Sequence, residues 1–167
     1  MARGLEFETV VAHHYGPLYQ FAFSLTRNEA EACDLTQQTF YIWAAKGDQL
    51  RDVSKVKTWL FTTLHREFLG SRRRQARFPH IELDDASGDL PVVAPANVNQ
   101  LDSEQLFDAL GQLEEVYRAA VVLFYLEDYS YNEIAEVLAI PLGTVKSRLT
   151  RGLHRLHQLL TNVPPKP

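Results

Sequence analysis

The chain has 167 residues, of which 46% are hydrophobic, and its 17 Lys and Arg residues against 21 Asp and Glu residues give a formal net charge of −4. This size allows one ordinary domain or two small ones, and the acidic balance excludes a protein that coats nucleic acid indiscriminately, so any DNA contact has to be local. The single cysteine, Cys33, excludes an internal disulfide framework, and neither a signal peptide nor a membrane-spanning stretch is found, which predicts a cytoplasmic protein without membrane insertion.

From Phe7 to Arg77 the sequence has helical periodicity and one proline, Pro17. Asn28 is placed to cap a helix that runs to about Lys46, and Glu31 completes a capping box. One face of this helix is small or apolar: Ala32, Leu35, Thr36, Thr39, Ile42 and Trp43. The opposite face places aromatic area beside an acid and two amides: Asp34, Gln37, Gln38 and Tyr41, with Phe40 at the margin. This mixture predicts a protein-binding surface, although Phe40 is expected to pack in the core.

A loop containing Gly and Asp, over residues 46–58, precedes a stretch in which aromatic residues are interleaved with bases, from Trp59 to Arg74. Rings can receive an unstacked base while cations hold the backbone, so the stretch predicts contact with single-stranded DNA. Taken alone, Trp59 and Phe61 are more typical of a core. The stretch ends in three consecutive bases: Arg72, Arg73 and Arg74. Three arginines exceed what the C-terminal dipole of a helix requires, and they favour phosphate contacts.

Residues 79–100 contain three prolines, one glycine and four acids, with no Lys or Arg. This composition is typical of a flexible acidic linker. Helical periodicity returns at Leu101 and continues to about Leu160. The predicted fold is therefore all-α, with two small helical domains at residues 1–78 and 101–161, the linker between them, and a tail at 162–167.

The second domain contains a predicted helix-turn-helix. Its first helix spans about Tyr131 to Leu138, and the connection Ala139-Ile140-Pro141 has the length that sets two helices at a steep angle. One side of the second helix is apolar: Val145, Leu149, Gly152, Leu153, Leu156 and Leu160. The other side has donors and cations without a carboxylate: Thr144, Ser147, Thr150, Arg151, His154 and Gln158, with Lys146 and Arg148 at its edges. Such a face suits phosphates and base edges, although an ordinary solvated helix has the same pattern.

Charge distribution favours DNA binding over the solvated helix. From Lys146 to the end, the chain has five cations and no acid. A protein that is acidic overall has thus gathered cations at one end, as polyanion-binding proteins do.

No constellation for catalysis is found. His154 and His157 stand at helical spacing, but no Cys, Asp or Glu lies nearby in the sequence to complete a metal site. No Gly-rich phosphate loop precedes a helix, and no nucleophile has a nearby base. The sequence predicts neither an enzyme nor a metal site, and no cofactor.

Together, these motifs resemble those of the extracytoplasmic-function sigma factors of bacterial RNA polymerase. The N-terminal resemblance is carried by residues 32–40, by 59–62 and by the arginine run, and the C-terminal one by residues 109–113, 118–127, 130–135 and 141–151. The C-terminal segments stand in the order and spacing of the family.

The resemblance implies a role for each surface. The face on the capped helix would dock on the clamp helices of the largest polymerase subunit: Asp34, Gln37, Gln38, Phe40 and Tyr41. The minus-ten promoter element would be melted and read by Lys55, Lys57, Trp59, Arg66, Arg72, Arg73 and Arg74. The minus-thirty-five element would be read by Thr144, Lys146, Ser147, Arg148 and Arg151, in a module that also contacts the flap of the second-largest subunit. An anti-sigma factor, or the linker itself, would hold the protein inactive.

Three residues depart from the family pattern. Gln38 replaces an acid, and Arg66 replaces an asparagine near the melted strand, which changes the expected minus-ten preference. Ala139 replaces the glycine of the turn, at little cost as long as its φ is negative.

Two other classes of function stay open at this point. A stand-alone helix-turn-helix regulator would bind a duplex without polymerase, usually as a dimer. An antagonist that uses sigma-like surfaces to sequester a partner would bind its target without supporting initiation.

Overall fold

In the computed structural model of the chain, residues 6–77 and 103–161 are described, and they form seven α-helices with no strand. The N-terminal bundle consists of α1 (Phe7–Thr26), α2 (Glu29–Lys46) and α3 (Val56–Arg77). The C-terminal bundle consists of α4 (Ser103–Gln112), α5 (Glu115–Tyr125), α6 (Tyr131–Leu138) and α7 (Leu142–Thr161). The all-α prediction is confirmed, whereas the predicted linker and tail lie outside the described residues. None of the described helices is long and apolar enough to cross a lipid bilayer.

The start of α2 follows the predicted cap with one difference. The Asn28 side chain accepts a hydrogen bond from the Glu31 backbone N–H at 3.0 Å, as expected. The backbone N–H of Asn28, however, donates to the Thr26 hydroxyl at 3.3 Å. The reciprocal half of the predicted capping box is therefore replaced by a bond to the end of α1.

The predicted apolar face of α2 packs into the core. Trp43 meets Trp59 of α3 edge-on, with ring centroids 5.2 Å apart. A side chain at Gly47 would place its Cβ 2.7 Å from the Trp43 ring, so the turn that leaves α2 needs glycine there. The two tryptophans thus fix the position of the connection between α2 and α3.

The predicted loop at residues 46–58 is wrong in its length, because α3 already begins at Val56. Two short 3-10 turns precede it, at Gly47–Gln49 and Val53–Lys55. Asp52 builds the second one by accepting from the Ser54 N–H at 3.0 Å and the Ser54 hydroxyl at 2.6 Å. Trp59 consequently lies in the first turn of α3 and not at the end of a loop.

The helix-turn-helix forms with the predicted bounds for α6. Ser130 and Glu133 cap that helix reciprocally, at 3.2 Å and 2.9 Å. In α7, the predicted apolar side faces the core as far as Leu156, whereas Leu160, which was expected to be buried, is exposed. A Cβ added at Gly152 would lie 2.8 Å from Val121 of α5. Glycine therefore lets the two helices approach closely.

The turn between α6 and α7 does not keep the negative φ that the sequence allowed for. Ala139 has φ 55° and ψ 49°, in the left-handed region, and its N–H bonds back to the end of α6. This conformation places Cβ near the following carbonyl oxygen, at a cost of about 1 kcal/mol or more in a residue other than glycine. Ala139 is therefore a strained position.

The two bundles pack against each other, which the sequence did not predict. α1 contacts α5 and α3 contacts α6, and one cluster of buried hydrophobic residues continues through both bundles. At the contact, Phe61 of α3 meets Tyr129 edge-on, with ring centroids 5.5 Å apart. The described helices thus form one closed arrangement.

Replacing Ala139 by glycine should raise the free energy of unfolding by about 0.5–1 kcal/mol, because glycine adopts positive φ without steric cost, although it adds entropy to the unfolded chain. Urea unfolding at one pH measures the change. The matched control is Ala44→Gly on the exposed side of α2, which should lower stability by about 0.5–1 kcal/mol. A loss of stability in Ala139→Gly like that of the control would contradict the strain.

Candidate nucleic-acid and protein interfaces

The exposed face of α2 carries four of the five predicted docking residues: Asp34, Gln37, Gln38 and Tyr41. Tyr41 is 71% exposed, which is unusual for so large a ring. Phe40 is 5% exposed, and its ring stacks on Tyr15 of α1 at 6.1 Å between centroids. Phe40 thus supports the face from below, in agreement with the core packing expected for it, and is not part of the exposed surface.

A polar cleft of about 440 Å³ separates this face from the arginine run at the end of α3. Asp34 and Gln38 line the α2 side, and Arg72 and Arg74 line the α3 side. Two predicted surfaces that are far apart in the sequence therefore share one edge of the N-terminal bundle.

A second cleft, of about 490 Å³, lies at the start of α3. It contains three of the predicted minus-ten residues: Lys55, Trp59 and Arg66. Threonine residues line the same cleft: Thr58, Thr62 and Thr63. Lys55 and Arg66 are exposed, whereas Trp59 is half-buried because it packs on Trp43. One wall belongs to the C-terminal bundle, since Glu136 of α6 also lines the cleft.

Lys57 is half-buried, because its ammonium contacts the C-terminal bundle. Its ammonium donates a hydrogen bond to the backbone carbonyl of Glu127 at 3.1 Å and lies 3.8 Å from the carboxylate of that residue. It also lies 4.8 Å from the ring centroid of Tyr129 and 5.8 Å from that of Phe61, which are distances of cation–π contacts. A predicted DNA-binding cation is therefore bound by the other bundle.

Glu127 is 6% exposed. Burial raises its pKa to about 7, and the neighbouring Lys57 opposes this rise only in part. His65 on α3 is affected in the opposite direction, because burial and the nearby Arg148 lower its pKa to about 4. At neutral pH His65 therefore adds no charge to the contact between the bundles.

Arg72 is also engaged across the contact. One of its terminal nitrogens lies 3.7 Å from the Glu115 carboxylate of α5, and its guanidinium stacks over Phe68 at 4.9 Å. The next two members of the run, Arg73 and Arg74, are exposed. Of the three arginines predicted to bind phosphate, one therefore contacts the C-terminal bundle and two are exposed to solvent.

Arg118 of α5 was not singled out in the sequence, although it is 6% exposed. It donates to the carbonyl oxygens of Gly111 at 3.2 Å and Leu113 at 3.3 Å, and across the contact to that of Leu25 at 3.5 Å. The last bond ties the C-terminal end of α1 to the C-terminal bundle. Nothing in the sequence around Arg118 indicates that this arginine is buried and not on the surface.

The residues predicted to read DNA lie on the outer side of α7. Lys146, Ser147 and Arg151 are exposed, and Thr144 and Arg148 are half-buried. The hydroxyl of Ser147 donates to the Thr144 carbonyl at 3.1 Å. The helix contains no Asp or Glu, so its outward field is positive over its first three turns.

An apolar groove of about 380 Å³ opens on the other side of the C-terminal bundle. Its lining comes from α4, α5 and α7 and the residue after α5: Leu106, Leu110, Val121, Val122, Tyr125, Leu126, Leu153, Leu156, His157 and Leu160. Sequence reasoning assigned Leu153 and Leu160 to a buried stripe, but the stripe is longer than α5 can cover. Apolar residues of α7 that lie beyond the part covered by α5 are the sequence feature that indicates the groove.

Within residues 6–77 and 103–161, no group of three or more His, Cys, Asp or Glu side chains is arranged to hold a metal ion.

Comparison with known proteins gives matches over both bundles. Residues 10–78 match the family model described as Sigma-70 region 2, and residues 103–156 match the one described as Sigma-70, region 4. The chain is 32% identical over 146 residues to the ECF RNA polymerase sigma factor EcfG of Rhodopseudomonas palustris, covering 86% of this chain and 78% of that protein. It is 35% identical over 158 residues to the ECF RNA polymerase sigma factor SigE of Mycolicibacterium smegmatis, covering 92% of this chain and 61% of that protein.

A solved structure is similar over nearly the whole chain. The sigma factor RpoE from Bartonella quintana, in complex with the anti-sigma factor NepR, has a TM-score of 0.75 and 32% sequence identity. The superposition covers 95% of this chain and 98% of that one.

The raised pKa of Glu127 predicts a pH-dependent stability. The native state holds the proton more tightly than the unfolded chain, so this contribution is fully present below the ordinary glutamate pKa and is lost as pH rises through about 7. Glu127→Gln removes this titrating group. The free energy of unfolding of the variant, relative to that of the unmodified chain, should therefore rise by about 1–3 kcal/mol from pH 5 to pH 8.

Urea unfolding at those two pH values measures this difference. The effect of His65 is common to both proteins and cancels. Glu8→Gln, at an exposed site on α1, controls for the loss of one carboxyl group and should leave the profile unchanged. Parallel profiles for Glu127→Gln and the unmodified chain would contradict the pKa shift.

Proposed function

The chain belongs to the extracytoplasmic-function sigma factors, which direct bacterial RNA polymerase to promoters, and we propose how its described surfaces divide this work. The N-terminal bundle binds core polymerase and the minus-ten element, and the C-terminal bundle reads the minus-thirty-five element. The chain acts in the cytoplasm as a specificity subunit and leaves the chemistry of RNA synthesis to the polymerase. The observation that carries this assignment is the presence of two unlike faces, one polar and aromatic on α2, the other cationic and free of acids on α7.

The α2 face suits a protein partner better than DNA. Asp34 would repel phosphate, while amides and a highly exposed tyrosine ring give directional bonds and contact area. In our assignment this face docks on the clamp helices of the largest polymerase subunit. Phe40 contributes only by holding the backbone below Tyr41.

The cleft at the start of α3 suits a single strand with an unstacked base. Trp59 supplies an aromatic edge, threonine residues line the space beside it, and Lys55 and Arg66 supply charge for the backbone. The exposed Arg73 and Arg74 extend the cationic path towards the end of the helix. We assign the melted minus-ten strand to this surface.

The first turns of α7 suit the major groove. A recognition helix reads base edges with its N-terminal residues, and here those are Thr144, Lys146, Ser147, Arg148 and Arg151. The apolar groove on the far side stays free in such a complex. It suits the apolar face of a helix, and we assign the flap of the second-largest subunit to it.

Binding two promoter elements through one chain makes weak contacts strong, because the second contact is intramolecular once the first has formed. A protein inhibitor could exploit the same surfaces. The similar RpoE of Bartonella quintana is bound to the anti-sigma factor NepR, and we propose that an anti-sigma factor also regulates this chain.

A run-off transcription assay with core polymerase and a library of genomic fragments tests the function as a whole. We expect discrete transcripts that depend on the chain. Specific duplex binding without polymerase, and no transcripts, would instead favour the stand-alone regulator. Polymerase binding without initiation would favour the antagonist.

Substituting Asp34 and Gln37 together by alanine should weaken binding to core polymerase at least about tenfold while leaving the fold intact, since two central interface residues are truncated. Gel filtration and fluorescence anisotropy with core enzyme measure the effect. The matched control is the Asp108→Ala and Gln112→Ala pair, an exposed acid and amide on α4. Equal binding by both double variants would remove α2 from the docking site.

Arg151→Ala should weaken binding to the minus-thirty-five element by roughly 1–3 kcal/mol, because it removes a phosphate or base contact from the recognition helix. A footprint of the polymerase complex and the transcript level report this loss. Arg155 is an exposed arginine one turn further along α7, and Arg155→Ala should lower the binding free energy clearly less than Arg151→Ala does. A normal footprint with Arg151→Ala would reject the assignment of this residue.

A further inference from the structure

A largely apolar cavity of about 190 Å³ lies where the N-terminal bundle meets the C-terminal bundle. Its buried lining residues come from both bundles: Leu25 and Phe68 from the first, Ala119 and Leu138 from the second. A cavity of about 150 Å³ with such a lining takes up benzene and offers water few hydrogen-bond partners. The cavity therefore has room for one six-membered ring with a short substituent.

Two further lining residues are apolar and exposed, one on each bundle. Leu69 of α3 is 39% exposed, and Val116 of α5 is 45% exposed. The cavity consequently reaches the surface of the closed arrangement. A small molecule can enter it while the bundles stay in contact, and it gains by covering apolar area at the rim.

Arg148 of α7 brings a positive charge to the cavity. This residue is half-buried, and its guanidinium forms no hydrogen bond or ion pair with any residue of the ranges 6–77 and 103–161. A cation that is partly removed from water gains most from a charged acceptor, and a guanidinium binds a carboxylate through two parallel hydrogen bonds. The group that fits beside Arg148 is therefore an anion, and a carboxylate fits it best.

The other polar lining residues, His65 and Glu115, do not prevent an anion from binding. The pKa of His65 is lowered to about 4 by burial and by Arg148, so at neutral pH its imidazole is uncharged and can still donate or accept one hydrogen bond. The Glu115 carboxylate lies 3.7 Å from a nitrogen of Arg72, which compensates its charge. An incoming anion thus meets one unpaired cation, one neutral ring and one paired carboxylate.

We propose that this cavity is a binding site for a small aromatic carboxylate, a single ring whose carboxylate is attached directly or through one or two methylene groups. The ring fills the apolar space lined by Phe68 and Ala119, and the carboxylate pairs with Arg148. Neither bundle forms the site alone, because each supplies part of the lining.

A ligand at this site inhibits promoter binding. It contacts both bundles and so stabilises the arrangement in which they touch, and it occupies Arg148, which we assign to the minus-thirty-five element. A compact chain of this length has a radius of gyration of about 16 Å. The two promoter elements lie about 25 base pairs apart, which is about 85 Å of duplex, so the bundles have to separate to bind both. This consequence rests on the proposed function, whereas the binding itself does not.

Titration of the full chain with phenylacetate, followed by ¹H–¹⁵N NMR at pH 7 and fixed ionic strength, tests the site. The shifts should saturate and should include the backbone signals of Phe68 and Ala119, one in each bundle. Phenylacetamide has the same ring without the charge, and acetate has the charge without the ring. Phenylacetate should bind about tenfold or more tightly than either, because only it uses both parts of the site.

Val116→Trp tests the location, because it places a large ring at the rim of the cavity. Affinity for phenylacetate should fall about tenfold or more, since the new side chain takes up the space of the ligand ring. The matched control is Val53→Trp, at a valine that is 42% exposed and does not line the cavity. It should bind like the unmodified chain.

Arg148→Gln tests the charge. It should weaken phenylacetate binding about tenfold or more and leave phenylacetamide binding unchanged, since only the carboxylate uses the guanidinium. The control is Arg151→Gln, at an exposed arginine of the same helix that does not line the cavity. Circular dichroism shows that the four variants keep their helix content.

Run-off transcription tests the consequence, with ligand added to the chain before core polymerase. At a phenylacetate concentration about ten times its dissociation constant, about tenfold more chain should be needed for the half-maximal transcript level. Val53→Trp should show the same inhibition, and Val116→Trp should show none.

Several outcomes would overturn the inference. Shifts that do not saturate, or equal affinity for the three ligands, would show that the cavity is not a site for an aromatic carboxylate. Unchanged affinity in folded Val116→Trp would place the ligand elsewhere, and if this variant loses its helix content, the same result with Arg148→Gln decides. Saturable binding without inhibition would reject the regulatory consequence. A chain that gives no transcripts even without ligand would reject the proposed function and leave the measured binding intact.

Discussion

The half-buried cation of Lys57 joins the two bundles where they meet, and the closed arrangement depends on the groups that contact it. The Glu127 carbonyl and carboxylate and the Tyr129 ring compensate the charge, which brings the connection before α6 into contact with α3. Glu127 is buried as a result, and this burial raises its pKa to about 7. A lysine held in this way cannot also bind phosphate.

The assigned surfaces differ in whether the closed arrangement covers them. The α2 face and the exposed side of α7 stay open to solvent, whereas the minus-ten surface is partly covered by carboxylates. Docking on polymerase through α2 can therefore precede the separation of the bundles. The apolar groove of the C-terminal bundle is also open to solvent.

Local signals in the sequence predicted the parts of the fold that are determined locally. The cap at Asn28 and the periodicity of α6 gave helix bounds that the structure confirms, because a cap and an apolar stripe act within a few residues. The start of α3 was missed because the Asp52 turn continues directly into the helix. The positive φ of Ala139 was missed because alanine rarely adopts it. The Lys57 contact joins residues 70 positions apart, and no pattern along the chain marks such a pair.

Energy transfer between one dye on each bundle tests the central claim most directly, which is that the chain is closed when free and open on a promoter. In a Cys33→Ser background, Ala12→Cys on α1 and Asp108→Cys on α4 provide exposed attachment sites outside the assigned surfaces. We predict high transfer in the free chain and low transfer in the complex with core polymerase and a promoter fragment. Low transfer in the free chain, or equally high transfer in the complex, would contradict the account.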